Sequence, residues 1–451
     1  MPIMSSLSFS DQFNQLTNLL IQHQNLWRPM PMAHTQLPWQ DGGPLCQWLA
    51  TLDNTQLAAL NADPDAVIKK LATWWPALNQ LPALVSVPMA QHTDIEIDSR
   101  LNVGVPGRKW AQIQAYLGAM PQTDKTACYL EWCAGKGYLG RGVAAITGKP
   151  VESVEWQSEL CEQGQTFADQ KALPMQFYSL DAMSEAATVV IAGCEHGLAL
   201  HACGDLHVKL LQKAVATGMR ALTVSPCCYH LIRGDRYQPL SAQAQEAALT
   251  LSKADLKLAV QESVTGGQRV RRQREQEVTY RLGFDEWQRD YQQSEHYLPL
   301  PALKKSQLTQ GFAAFCRWGA AQKGLTFPGD FDQTHYLARG EARFLVLEKI
   351  NLIKSAFRRA MELWLVLDRV LYLQQHGYRV TLTQFCEREL TPRNLLIHAE
   401  KMTQGAPHQR GVATDGVNQG RPSVCYPINC AATTVIPPTI ARLNPRLPPM
   451  T

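Results

Sequence analysis

Apolar residues follow two rhythms along the 451-residue chain. Up to about residue 105 they recur at steps of three and four, as in Phe13, Leu16, Leu19 and Leu20, or Trp48, Leu49 and Leu52. That spacing predicts helices joined by Pro-bearing loops. The tryptophans there (Trp27, Trp39, Trp48, Trp74, Trp75) are expected to fill a small core. From about 106, short apolar runs at 128–130, 151–154, 175–178, 198–200 and 221–224 alternate with helical stretches. Such alternation predicts an α/β domain, a parallel sheet with helices on both faces. The rhythm breaks over 295–340. Val346, Ile350, Ile353, Phe357, Met361, Trp364, Leu367 and Leu371 then predict one long helix over 344–376, with Gly377 placed to stop it. Two further strand candidates, 379–385 and 394–398, are joined by a short turn and suit an antiparallel pair. Residues 404–451 hold eight prolines, one aromatic residue (Tyr426) and no apolar period, so a disordered tail is expected. The domain reading is a mainly helical region at 1–105, a domain at 106–403 with a helical insertion at about 295–377, and the 404–451 tail.

Composition narrows the class. With 45% hydrophobic and 18% charged residues, the chain can bury a large core, which excludes a mainly disordered protein. No apolar run is long enough to cross a bilayer and the N-terminus lacks a signal-peptide layout, so a soluble cytoplasmic protein without membrane contact is expected. The formal net charge of +4 resembles a nucleic-acid signal, but its distribution weakens it. Lys401, Arg410, Arg421, Arg442 and Arg446 against Asp415 account for all of it, and residues 1–400 are balanced. Twelve cysteines without a C-x-x-C pair read as reduced intracellular thiols. Composition says nothing of oligomeric state.

Chemistry concentrates at strand ends. Residues 129–141 run from a strand through Cys133-Ala134-Gly135-Lys136-Gly137 into a helix. Glycines there let a ligand approach the backbone, and the helix start offers free N–H groups. Gly135, Gly137 and Gly140 fit G-x-G-x-x-G, which does not choose between dinucleotide and S-adenosylmethionine (SAM). Glu131 chooses: a carboxylate just before the turn suits a ligand ammonium and not a pyrophosphate. Glu155, ending the second strand, can accept from ribose hydroxyls, and Asp181, after the third, can reach an adenine edge. Together these acids suit SAM better than NAD. A P-loop is excluded, because the G-x-x-x-x-G-K-[ST] spacing is missing.

The fourth strand ends in His201-Ala202-Cys203-Gly204-Asp205. His201 and Asp205 are candidates to move a proton or orient a substrate; otherwise His201 is a packed histidine and Asp205 a helix cap. The fifth ends in Ser225-Pro226-Cys227-Cys228-Tyr229-His230, where Tyr229 offers a ring to stack on a planar substrate. Zinc is not expected there: neighbouring side chains on an extended chain point apart, and no fourth ligand is evident. The densest basic run holds Arg269, Arg271, Arg272 and Arg274, with Glu275 and Glu277 directly after. It is a candidate RNA contact, or a solvated arginine face.

Residues 131–141, 200–206, 227–230, 364–373 and 390–395 together resemble the methyltransferase-like 25 proteins, and more distantly the tRNA 2′-O-ribose methyltransferases that share the G-x-G-K-G turn and a Cys-Cys strand end. The likeness covers about 105–403. It implies a class I SAM-methyltransferase (Rossmann-like) fold, a seven-stranded sheet with an antiparallel last strand. It also implies Glu131, Gly135, Gly137, Glu155 and Asp181 as SAM-binding positions, and makes residues 108–113 a segment that caps the cofactor. Cys133 departs from the family, where a glycine commonly opens the turn. The expected function is SAM-dependent methyl transfer, with RNA as the favoured acceptor and no metal. Protein or small-molecule acceptors, an NAD enzyme, or a non-catalytic SAM-fold RNA-binding module are the alternatives.

Overall fold

A computed structural model describes residues 7–39, 42–121, 125–261, 268–303 and 305–402. The predicted tail at 404–451 lies outside the described residues. All seven expected strands form, as β1 (Tyr129–Trp132), β2 (Val151–Glu155), β3 (Met175–Ser179), β4 (His196–Cys203), β5 (Ala221–Cys227), β6 (Tyr378–Gln384) and β7 (Leu395–Lys401). They make one sheet in the order β3-β2-β1-β4-β5-β7-β6. Neighbours from β3 to β5 pair in parallel, and β7 runs antiparallel to both β5 and β6. This is the class I methyltransferase arrangement that the resemblance implied. Strand order reverses between β1 and β4, and a crevice opens at their carboxyl ends. The glycine turn leaves β1 at that end, and His201 lies near the end of β4.

The helices are α1 (Phe9–Gln22), α2 (Gly107–Ala119), α3 (Tyr138–Thr147), α4 (Asp205–Thr217), α5 (Gln268–Gln292), α6 (Gln333–Ser355) and α7 (Arg358–Gln375), with shorter ones between. The single long helix predicted over 344–376 is two. It starts earlier, at Gln333, and breaks at Ala356 and Phe357, and α7 is then buried along most of its length. Residues 360–371 of α7 are all buried, most of them apolar but with Glu362, Asp368 and Arg369 among them. Phe13 of α1 stacks on Trp364 at 5.1 Å, and the Trp364 indole donates to Thr17 Oγ1 at 2.8 Å. Residues before 106 therefore share a core with α7 and the sheet. The segment around Pro88–Ala90 also bonds to the backbone of Gln384, covering the outer edge of β6.

Charged groups inside this core are paired. Asp368 accepts from the Leu240 and Ser241 amides at 2.9 and 2.7 Å and from the Tyr237 hydroxyl at 2.5 Å. Arg369 donates to His207 Nε2 at 2.8 Å, and His207 Nδ1–H donates to the Ala202 carbonyl at 3.0 Å. The chain α7–His207–Ala202 thus braces the end of β4 from behind. Arg369→Leu strips His207 and Tyr237 of a buried donor and leaves Asp368 without its positive neighbour. It should cost about 3–5 kcal/mol in urea unfolding; a loss below about 1 kcal/mol would show that the network does not hold α7 in place.

Candidate active site

The turn after β1 carries three residues in the left-handed region: Cys133 (φ 57), Gly135 (φ 58) and Gly137 (φ 71). Cys133 therefore adopts the conformation that a glycine takes there without strain. Two bonds pin the turn to β2, Ala134 N–H to the Val154 carbonyl at 3.0 Å and Gly135 N–H to Glu155 Oε2 at 2.9 Å. Glu155 Oε1 also accepts from the Gln157 amide at 3.1 Å. Glu155 is buried and braces the glycine turn from β2, a role the sequence did not suggest.

Glu131 lies under the start of α3, 3% exposed, with Oε2 accepting from Ser153 Oγ at 2.9 Å. A Cβ on Gly140 would stand 2.5 Å from that oxygen, so only glycine lets α3 come this close. Burial pushes the Glu131 carboxyl up to about 7. The Gly140 amide, Ser153, Arg141 and the Leu139 amide pull it back only in part.

A cavity of about 230 Å³ opens above this carboxyl, lined by Glu131, Cys133, Gly135, Tyr138, His201 and Lys109 among others. Lys109 comes from α2 and sits 4.8 Å over the Tyr138 ring. Burial lowers its pKa while the charge on Glu131 raises it. The 108–113 segment therefore forms part of the cavity wall.

His201 has φ 70 and stays accessible. Its Nε2–H donates to Gln112 Oε1 at 3.1 Å, while Gln112 Nε2 donates to the Leu390 carbonyl at 3.1 Å. That second bond fixes which end of the amide faces His201, and so fixes the tautomer that leaves Nδ1 with its lone pair. Protein crowded around the ring, then the Lys109 charge, hold its pKa below 6.5, so the imidazole is neutral at pH 7. Gln112 was missed from the sequence, although its place on the same α2 segment as Lys109 and Ile113 was a usable signal.

Other expected site residues are placed elsewhere. Asp205 is the first residue of α4, and its Oδ2 accepts from the Arg233 amide at 2.8 Å, tying down the loop after β5. Asp181 is exposed, and its Oδ1 accepts from the Met183 amide at 2.8 Å. Neither lines the cavity. Tyr229 requires a correction: it is 1% exposed, against His207 and beneath the Arg369 guanidinium at 5.2 Å, and its hydroxyl donates to the Pro226 carbonyl at 3.3 Å. A ring buried this deeply has no face for a substrate.

Arg269, Arg271 and Arg272 are exposed on α5. Arg271 and Arg272 line a larger cavity of about 1090 Å³ against α6 that also holds Glu275, Glu341 and Glu348, with Arg274 paired to Glu348 at 3.5 Å. It shares no lining residue with the cavity above Glu131. Acids and arginines alternate on its wall, so it is not a uniformly basic groove.

The two cysteines that end β5 also depart from expectation. Cys228 takes φ 47, which bends the chain, and Cys203, Cys227 and Cys228 come together. Hydrogen bonds from Cys203, then from Cys227, hold the Cys228 thiol well below its ordinary range.

Residues 108–235 match a family model described as a methyltransferase domain. This region is thus similar to methyltransferase domains. The match takes in the glycine turn, β1 to β5 and the cysteine-bearing strand ends. No curated protein matches the chain. Among solved structures, the N-terminal domain of EvdMO1 with SAH bound is 13% identical, with a TM-score of 0.22 over 30% of this chain and 59% of that one. Monomeric WbdD is 11% identical, with a TM-score of 0.17 over 29% of this chain and 32% of that one. The chain thus spans under two thirds of each. No helix among the described residues is long and apolar enough to cross a membrane.

The raised Glu131 pKa makes stability depend on pH. Between pH 4.5 and 7 the folded state holds a proton that the unfolded state has released, so stability is complete at the acid end and falls as pH rises toward 7. The fall should reach about 3 kcal/mol by pH 8. Urea unfolding at pH 5 and pH 8 should show it in the ligand-free protein and a flatter profile in Glu131→Gln; parallel profiles would refute a buried, ionisable Glu131.

Proposed function

We propose that the chain is a cytoplasmic methyltransferase that passes the methyl group of SAM to an acceptor held at the carboxyl ends of β4 and β5, and that the acceptor is RNA. Within the methyltransferases we place it beside the methyltransferase-like 25 proteins, on the motifs quoted above. The observation that carries the reading is the Glu131 carboxyl, buried at the floor of a cavity at the strand-order reversal. An isolated carboxyl is costly to bury, and a ligand ammonium repays that cost by pairing with it.

When bound, SAM supplies a methyl already activated by its sulfonium. Glu131 takes the ammonium, and the backbone around Gly135 and Gly137 admits the amino-acid end. Glu155 keeps unused lone pairs on its carboxylate for ribose hydroxyls, since each oxygen accepts only one bond from the chain. Asp181, beyond β3, is left to reach the adenine edge. His201 accepts the acceptor's proton at Nδ1 while Gln112 holds the opposite ring nitrogen. Asp205 acts at one remove, by holding the loop after β5. Arg269, Arg271 and Arg272 supply exposed positive charge for phosphates, and their mixture with acids predicts a shallow salt dependence of binding.

Calorimetry with SAM tests the cofactor reading. Binding should release up to one proton between pH 5.5 and 7, because the ammonium favours the charged form of Glu131, and affinity should rise with pH across that window. Glu131→Gln should lose that proton release. Gly137→Arg, checked for folding by circular dichroism, should show no heat; no heat from the parent, or heat from NAD instead, would end the reading.

Labelled SAM and extract from cells lacking the gene test the acceptor. Label that survives protease and not nuclease fits RNA, and the reverse pattern refutes it in favour of a protein. His201→Ala should keep SAM affinity and lose about 10²–10⁴-fold in rate, with loss of the acid limb of the pH–rate profile; an unchanged acid limb would remove His201 as the base.

A further inference from the structure

Strands β4 and β5 pair as Leu200 with Ser225 and then Cys203 with Cys227, so β4 carries one residue more than β5 over this stretch. His201 at φ 70 lies within the bulge, which sets Cys203 opposite Cys227 with their sulfurs 3.4 Å apart. The bend at Cys228 brings in the third thiol, and all three sulfurs lie within 4.8 Å of one another. None is in a disulfide.

These spacings discriminate. A disulfide needs sulfurs about 2.05 Å apart. Three thiolates around a tetrahedral Zn²⁺, each about 2.3 Å from the ion, stand about 3.8 Å from one another. The 3.4 Å between Cys203 and Cys227 excludes a disulfide, and with all three sulfurs within 4.8 Å of one another only small side-chain movements separate the trio from that spacing.

The scaffold holds the set in place from both strands. Gly204 N–H donates to the Cys227 carbonyl at 3.1 Å, Asp205 N–H to the Leu231 carbonyl at 3.1 Å, and Leu231 N–H to the Cys228 carbonyl at 2.9 Å. A Cβ on Gly204 would stand 1.9 Å from the Leu231 carbonyl oxygen, so the two segments touch backbone to backbone. Cys227 is buried, whereas Cys203 and Cys228 are partly open, which gives an ion a way in. Arg393 places positive charge beside Cys228, against the net negative charge of three thiolates on a dication. His230, two residues beyond Cys228, keeps a buried Nδ1 without a hydrogen-bond partner.

We infer that Cys203, Cys227 and Cys228 bind one thiophilic dication of the Zn²⁺ type, leaving its fourth position to water or to an atom of the acceptor. Each thiol that ligates as thiolate gives its proton to solvent. Two residues from His201, the ion stands at the acceptor end of the site; that placement, though not the binding itself, rests on the methyl-transfer reading. It departs from the sequence expectation of no metal, whose premise that adjacent thiols diverge fails at the Cys228 bend.

The test uses the full-length protein. Metal analysis of protein purified without chelator should give about one zinc per chain. Exchange for Co²⁺ should produce thiolate-to-metal charge-transfer absorption that saturates near one equivalent. Cys228→Ser, at a partly open position and checked for folding, should weaken Co²⁺ binding by more than about 100-fold, beyond the cost of losing a supporting partner. Cys203→Ser should do the same if Cys228→Ser does not fold. Absent charge-transfer absorption, or a Cys203–Cys227 disulfide found by mass spectrometry in protein kept reduced, would overturn the inference. SAM calorimetry on the same sample separates the two readings: normal SAM heat without metal sinks only the metal site, and metal without SAM heat sinks only the methyltransferase reading.

Discussion

A guanidinium inside an α/β core has to be surrounded by acceptors, and much of the molecule is arranged to satisfy Arg369. It holds His207, Tyr237 and the Leu365 carbonyl, while its neighbour Asp368 gathers the 237–241 loop. Because Arg369 donates to Nε2, His207 must carry its proton on Nδ1 and aim it at Ala202. Burial, then the Arg369 charge, keeps His207 neutral far below its ordinary pKa. A protonated His207 would present a second cation to Arg369. The core thus fixes a tautomer, and that tautomer fixes the strand end beside which the candidate chemistry lies.

The same economy governs the glycine turn. Glu131 remains in the core because Ser153 and the α3 amides partly satisfy it, and because Gly140 lets the helix approach. Satisfaction is incomplete, and the carboxyl retains a proton near neutrality. A group that remains dissatisfied at the floor of a cavity favours a cationic ligand group, and SAM carries one.

The sheet was legible because buried parallel strands leave short apolar runs bounded by turn residues, and those runs fell within or beside every strand observed. The long-helix prediction failed at Ala356 and Phe357, where the apolar spacing continues unbroken across the end of one helix and the start of the next. Tyr229 looked available because an aromatic after a strand end carries no mark of burial; the residues enclosing it, His207 and Arg369, lie 22 positions before it and 140 after. Gln112 was invisible as a partner of His201 for the same reason, since their contact spans 89 positions. Local pattern reveals elements and strand ends, whereas partners across the sheet need coordinates.

The bulge in β4 joins two features that the sequence presented separately. Carried on from Leu200 and Ser225 without it, the pairing would set Ala202 opposite Cys227, and Cys203 would point to the other face of the sheet. One added residue moves Cys203 onto the face of Cys227, and the backbone twist that absorbs it, at His201, leaves that ring on the cavity wall. The base candidate and the thiol trio therefore have a common geometric cause. Neither can be kept if β4 returns to regular pairing, and Arg369, acting through His207 on Ala202, braces the residue in the middle of the bulge.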